Sequence, residues 1–219
     1  MKSEPLLRIR DQGFLGRHCY SENPWHVLRF ALPMAIFFLW LGCSSVRSVG
    51  ATLGWAAGGV VFWTLFEYFY HRYFFHWNPR HPTLRRFVHA SHIAHHLDPN
   101  DLQSLNAGPV FALPLAALLY GILRLVLRDP SEAALLMAGN SVGYFLYELA
   151  HYTAHAGTGM SGWAGALRRY HRLHHHADWS SRYGVTTPLW DQVFRTQGRA
   201  LQRAPDRELS SLRRGLPST

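Results

Sequence analysis

The run VGATLGWAAGGVVFWTLFEYFYHRYFFHWNP, residues 49–79, joins two chemistries in one continuous stretch. From Val49 to about Tyr70 it is rich in glycine, alanine and aromatics and is long enough to cross the hydrocarbon core of a bilayer as a helix. It then passes into His71-Arg72-Tyr73-Phe74-Phe75-His76, so a membrane helix would end in a pair of potential metal ligands. Residues five apart lie about 140° apart on an ideal α-helix, so His71 and His76 can act together only if the helix ends or bends there. Asn78-Pro79 follows directly and supplies a stop.

Working outward, three further stretches have comparable character. One covers about 25–43, with Phe30, Leu32, Ile36, Phe37, Phe38, Leu39, Trp40 and Leu41, and a short linker, Ser44 to Ser48, ties it to the second in a tight hairpin. Another covers about 105–127, and after the turn signal Arg128-Asp129-Pro130-Ser131 a last one covers about 133–149. The expected fold is therefore an all-α membrane protein with four transmembrane helices at about 25–43, 49–70, 105–127 and 133–149. A soluble four-helix bundle would show polar helix faces, which these stretches lack. An even number of spans puts both termini on one side. The loops at 44–48 and 128–132 carry few basic residues and the other segments carry many, so the termini and the histidine-rich segments are expected on the cytoplasmic side. Residues 1–24 form a polar lead-in, 25–196 a single membrane-embedded domain, and 197–219 a polar, arginine-rich tail.

Composition narrows the chemistry. Cys19 and Cys43 are too few for a disulfide framework and have no thiolate metal spacing. The net charge of +9 suits an anionic membrane surface, and no nucleic-acid motif is visible, so no nucleic-acid partner is expected. The chain holds 15 histidines, and all but His18 and His26 lie between His71 and His176. They fall in four clusters: His71 and His76; His92, His95 and His96; His151 and His155; His171, His174 and His175. Spacings of three and four project the imidazoles of each later cluster from one helical face. Even an octahedral ion takes only six ligands, so ten imidazoles imply a dimetal site. The first and third clusters end the second and fourth spans, and the other two sit in segments able to fold back as a helical cap. His176 is placed outside the ligand set, and His89 is left open. Glu67, Asp98, Asp101, Glu148 and Asp191 flank the clusters and are candidates to accept imidazole N–H bonds. Trp63, Phe66, Tyr70, Phe74, Tyr144 and Tyr147 are candidates to line an acyl channel, or else an interfacial belt.

The order H-x-x-x-x-H, H-x-x-H-H, H-x-x-x-H, H-x-x-H-H resembles the fatty acid hydroxylase and sterol desaturase superfamily. Glu67-Tyr68 ahead of His71-Arg72, His95-His96 followed by Pro99-Asn100-Asp101, and the closing run Tyr183 to Phe194 look like its fatty acid 2-hydroxylase branch. The likeness spans about residues 60–196. It implies a di-iron monooxygenase that hydroxylates a fatty acyl or sphingolipid-like chain with dioxygen and two external electrons, zinc being able to replace iron in a purified sample. The sequence departs from the pattern at Glu148, where relatives often show Asp, and at Ala156, where a second adjacent histidine is common. No b-type cytochrome domain is visible, so the expected electron donor is a separate cytochrome, ferredoxin or reductase. Three alternatives remain at this level: a sterol- or carotenoid-oxidising relative, a histidine-rich metal transporter, and a closed structural zinc site.

Overall fold

The computed structural model describes residues 20–21, 23–44, 48–102 and 105–198. Most of the lead-in and all of the tail beyond residue 198 lie outside the described residues.

Helix α1, Pro24–Cys43, starts where Asn23 Oδ1 accepts the Trp25 amide at 2.9 Å and Pro24 fills the first turn, which needs no donor there. Helix α2, Val49–Phe69, is capped by Ser48 Oγ on the Ala51 amide at 3.1 Å and runs into a π-helical turn, Tyr70–Phe75. A short capping segment follows: α3, Pro82–Val88, a second π-helical turn, His89–Ile93, and α4, Ala94–Leu97. Helix α5, Pro109–Val126, is preceded by a two-residue strand β2, Asn106–Ala107, antiparallel to β1, Tyr20–Ser21. Helix α6, Pro130–Ala156, opens on an Asp129 cap, and α7, Gly162–His176, and α8, Leu189–Val193, complete the described chain.

Among the described residues, three helices are long and apolar enough to cross a membrane: Pro24–Cys43, Val49–Phe75 and Pro109–Val126. Their outward faces carry Leu32, Ile36, Trp40, Leu53, Val61, Leu118 and Leu125, all exposed, as expected where lipid rather than water is the neighbour. The stretch expected as the fourth span lies within α6, which has a different character. Helix α6 is the axis of the bundle, packed by α1, α2, α5 and α7, and it buries Ala133, Ala134, Met137, Asn140, Ser141 and Glu148. A helix enclosed by others needs no uniformly apolar surface and can carry polar groups inward.

Small residues let α2 and α6 approach closely. A methyl group on Gly59 would stand 2.0 Å from the Leu136 carbonyl oxygen, and one on Gly139 would stand 1.8 Å from that of Ala56. Gly54 and Gly58 have nothing within 4 Å of such a methyl. Backbone contact of this kind holds helices together where no hydrophobic effect acts between them. Gly59→Ala and Gly139→Ala should each destabilise the detergent-solubilised protein by about 1–3 kcal/mol through overpacking. Gly54→Ala and Gly58→Ala should leave its thermal midpoint unchanged. Equal effects at all four positions would contradict this packing.

Candidate metal centre

At one end of the bundle α2 and α6 deliver their last turns side by side, and α4 and α7 fold across them. The five-residue spacing of His71 and His76 is accommodated by the π-helical turn at Tyr70–Phe75, because i→i+5 bonding widens the helix and brings residues five apart onto one face. The helix thus changes its pitch before the stop at Asn78-Pro79 ends it.

All ten imidazoles gather into two sets of five. His71, His76, His92, His96 and His174 form one; His95, His151, His155, His171 and His175 form the other. Within each set the ligand atoms all lie within 4.8 Å of one another. Each H-x-x-H-H triplet is divided: His92 and His96 serve the first set and His95 the second, while His171 and His175 serve the second and His174 the first. Eight of the ten side chains are buried, His76 and His155 being partly exposed. His81, His89 and His176 are exposed and belong to neither set.

The spacing suits metal ions. In the first set Nε2 atoms stand 3.0 Å apart between His71 and His92, 2.9 Å between His92 and His96, and 3.2 Å from His174 to both His96 and His76. In the second the corresponding separations are 3.1 Å for His95 and His151, 2.9 Å for His155 and His171, and 3.0 Å for His171 and His175. Metal–imidazole bonds of about 2.1 Å put ligands at right angles about 3.0 Å apart, so these separations match the edges of a coordination polyhedron. Tautomers point the same way. His71 Nδ1 donates to the Tyr183 carbonyl and His174 Nδ1 to the Ser181 carbonyl, each at 2.6 Å. With Nδ1 protonated, a neutral ring turns a bare Nε2 lone pair into the cluster, where a cation is the natural partner.

Three of the five carboxylates expected to orient the rings do something else. Glu67 accepts the Val185 and Thr186 amides, the Thr186 hydroxyl and the Trp63 indole N–H. Glu148 accepts the Asn106 side-chain amide at 2.8 Å and the Ala107 amide at 3.1 Å. Asp191 accepts the Tyr183 and Gly184 amides. Glu67, Glu148 and Asp191 therefore each pin a loop, and backbone carbonyls orient His71 and His174 instead. Main-chain atoms carry no residue-type signature, and only the turn-like Tyr183-Gly184 step hints at them.

A cavity lies between α1, α2, α5 and α6. Met34, Phe111, Ala112, Leu115, Ala116 and Leu119 give it apolar walls, and His92, His95 and His151 stand at one end, so it reaches both sets. Trp63, Phe66, Tyr70, Phe74, Tyr144 and Tyr147 all line it.

With this geometry in place, comparison with known proteins is direct. Residues 56–196 match the fatty acid hydroxylase family, and the chain belongs to that family. It is 32% identical over 183 residues to the ceramide very long chain fatty acid hydroxylase scs7 of Schizosaccharomyces pombe, covering 81% of this chain and 52% of that one. It is 36% identical over 143 residues to the fatty acid 2-hydroxylase of Rattus norvegicus, covering 63% of this chain and 38% of that one. The chain thus spans about half the length of the first relative and less of the second. A solved structure, full length scs7p with only the hydroxylase domain visible, superposes with a TM-score of 0.75 at 28% identity, covering 84% of this chain and 70% of that one.

Burial holds the imidazoles neutral. It lowers the pKa of His76 and of His155 to about 4 and that of His174 to about 3, and it drives His92, His95, His151 and His171 well below the usual histidine range, with neighbouring imidazoles adding to these last shifts. Neutral rings are competent ligands at pH 7 with no proton to shed. The sign of the linkage follows. Below about pH 6.5 the unfolded chain takes up protons at these histidines while the folded chain does not, until the folded pKa values near 4 are reached. Metal-stripped protein should therefore hold its thermal midpoint from pH 8 to 7 and lose stability steadily between pH 6.5 and 4. A midpoint that rises on acidification would contradict the assignment of buried neutral rings.

Proposed function

We propose that this protein is an integral membrane oxygenase that hydroxylates an aliphatic lipid chain, fatty acyl or sphingolipid-like. The observation that carries this reading is the apolar cavity ending on His92, His95 and His151, which belong to two different metal-binding sets. Relatives named as fatty acid and ceramide hydroxylases support the substrate class. The residues fit two iron ions, one held by His71, His76, His92, His96 and His174 and the other by His95, His151, His155, His171 and His175, with zinc able to occupy the same ligands in purified protein. Bound iron supplies the activation of dioxygen, with one oxygen atom entering a C–H bond of the lipid and the other leaving as water after uptake of two electrons and two protons.

The chain itself positions and excludes. The cavity wall, from Met34 to Leu119, holds an extended chain out of water and leads one of its carbons towards the imidazole sets. Glu148 and Glu67 tie the 106–107 and 185–186 loops to the helices that carry His151 and His71, so the ligand-bearing turns are braced from both sides. In this reading α6 is a fourth span inside a ring of three, residues 25–196 form one membrane-embedded domain, and the histidine cap and both termini face the cytoplasm. A separate cytochrome, ferredoxin or reductase delivers the electrons. A sterol- or carotenoid-oxidising activity on the same site is the alternative within the superfamily, and the product distinguishes it. A transporter would carry ligands along its spans, whereas these ten imidazoles gather at helix ends and in the cap over them.

Lipid mass spectrometry of cells with and without the protein tests this. A lipid species gaining one oxygen atom, heavier by two further mass units under heavy dioxygen, is expected, and it should vanish in cells making His95→Ala or His175→Ala at normal membrane levels. Full activity in both variants, or a change in cellular metal content with no oxygenated lipid, would overturn the proposal.

A further inference from the structure

The two imidazole sets are not braced alike. In the first, two rings are fixed by carbonyls that belong to one turn: Ser181 accepts from His174 and Tyr183 from His71. The residue between them, Arg182, is buried and has φ of 62°. Side chains other than glycine seldom occupy this left-handed region, and where they do the surroundings must hold them there. Here they do. The Arg182 amide donates to the Thr196 carbonyl at 2.8 Å and its guanidinium to Ser181 Oγ at 2.8 Å. Asp191, fully buried, accepts the Tyr183 amide at 2.9 Å, the Gly184 amide at 2.8 Å and the Thr196 hydroxyl at 2.7 Å. The reversal at Arg182 lets carbonyls two residues apart reach two ligands of the same set, approached from α2 on one side and α7 on the other.

The second set has no counterpart. The His155 ring bonds the Pro99 carbonyl, but Nδ1 of the other four, His95, His151, His171 and His175, is buried with no hydrogen-bond partner among the described residues, whereas in the first set His96 Nδ1 alone is so placed. A hydrogen bond at the far nitrogen fixes ring orientation and raises ligand basicity, and losing such a partner commonly weakens metal binding about 10–100-fold.

We propose that the Ser181–Gly184 turn, pivoted on Arg182 and anchored by Asp191, is a clamp that makes the two metal positions unequal: the ion on His71, His76, His92, His96 and His174 is retained, and the ion on His95, His151, His155, His171 and His175 is exchangeable. This rests on both sets holding ions. Asp191 and Arg182 are positioning residues, acting on the metal only through the carbonyls they aim.

The test is a chelator titration of the detergent-solubilised full chain loaded with cobalt(II), with metal per chain counted by elemental analysis and ligand-field absorption followed alongside. The wild-type chain should release its ions in two steps separated by about 10–100-fold in chelator concentration. His155→Ala should abolish the early step and His76→Ala the late one. Asp191→Asn replaces one of the two accepting oxygens with an NH₂ donor that opposes either the Tyr183 or the Gly184 amide, so it should move the late step onto the early one and leave the early step in place. Arg182→Gly, which adopts positive φ without a Cβ, should keep the late step, whereas Arg182→Val should lose it, and this pair separates the clamp from general unfolding. Release of both ions in one step from the wild type, the reverse assignment by the two histidine variants, or a late step unmoved in Asp191→Asn would each overturn the clamp. Failure of the wild-type chain to bind two ions at all would instead sink the dimetal reading beneath it.

Discussion

Ten neutral imidazoles turned towards two small volumes constrain everything else in this structure. Lone pairs about 3 Å apart repel unless a proton or a cation lies between them, and burial keeps the rings unprotonated at neutral pH. The fold must therefore hold the rings in place against their mutual repulsion before any ion binds. It does so with rigid parts. Two long helices end at the site, two shorter ones cross above it, and buried carboxylates at Glu67, Glu148 and Asp191 fasten the intervening loops to them.

The same constraint explains local departures from regular helix. An α-helix cannot bring His71 and His76 together, and the π-helical turn between them does so without leaving the helical path. The second π-helical turn, at His89–Ile93, immediately precedes the α4 segment from which His95 and His96 point to different sets. Irregular backbone here serves ligand direction. It is tolerated because these turns lie at the helix ends, where cap and loop can satisfy freed backbone groups.

Much of the candidate site and part of the fold were legible in the sequence. The ligand clusters stand out because metal binding needs one residue type at helical spacings, and the apolar stretches stand out because a bilayer needs length and composition together. The division of each H-x-x-H-H triplet between two sets was not legible. Spacing places His92, His95 and His96 on one helical face, but which neighbour each ring meets depends on how α7 folds back across α2 and α6. The role of α6 was hidden for a related reason: as a run from 133 to 149 it resembles its neighbours, and only packing shows that it is enclosed by them, with Asn140, Ser141 and Glu148 buried. The carbonyls of Ser181 and Tyr183 were invisible because every residue has one. Glu67, Glu148 and Asp191 drew notice by their position beside the histidines, yet their bonds go chiefly to loop amides and hydroxyls, which no side-chain pattern announces.

In the proposed reading the cavity joins this local chemistry to the lipid phase. Its walls come from α1 and α5 together with α2 and α6, the two long helices that end in imidazoles, so the distance between a chain proposed to lie in it and the imidazoles is set by helix packing rather than by a mobile loop. The central claim is that two metal ions are bound here by nitrogen alone. Elemental analysis combined with metal-edge X-ray absorption on the iron-loaded full chain tests it most directly. Two iron ions per chain, each with an imidazole nitrogen shell at about 2.1 Å and no sulfur scatterer, is the predicted result. A single ion per chain, or a spectrum unchanged when His95 and His151 are both replaced by alanine, would contradict it.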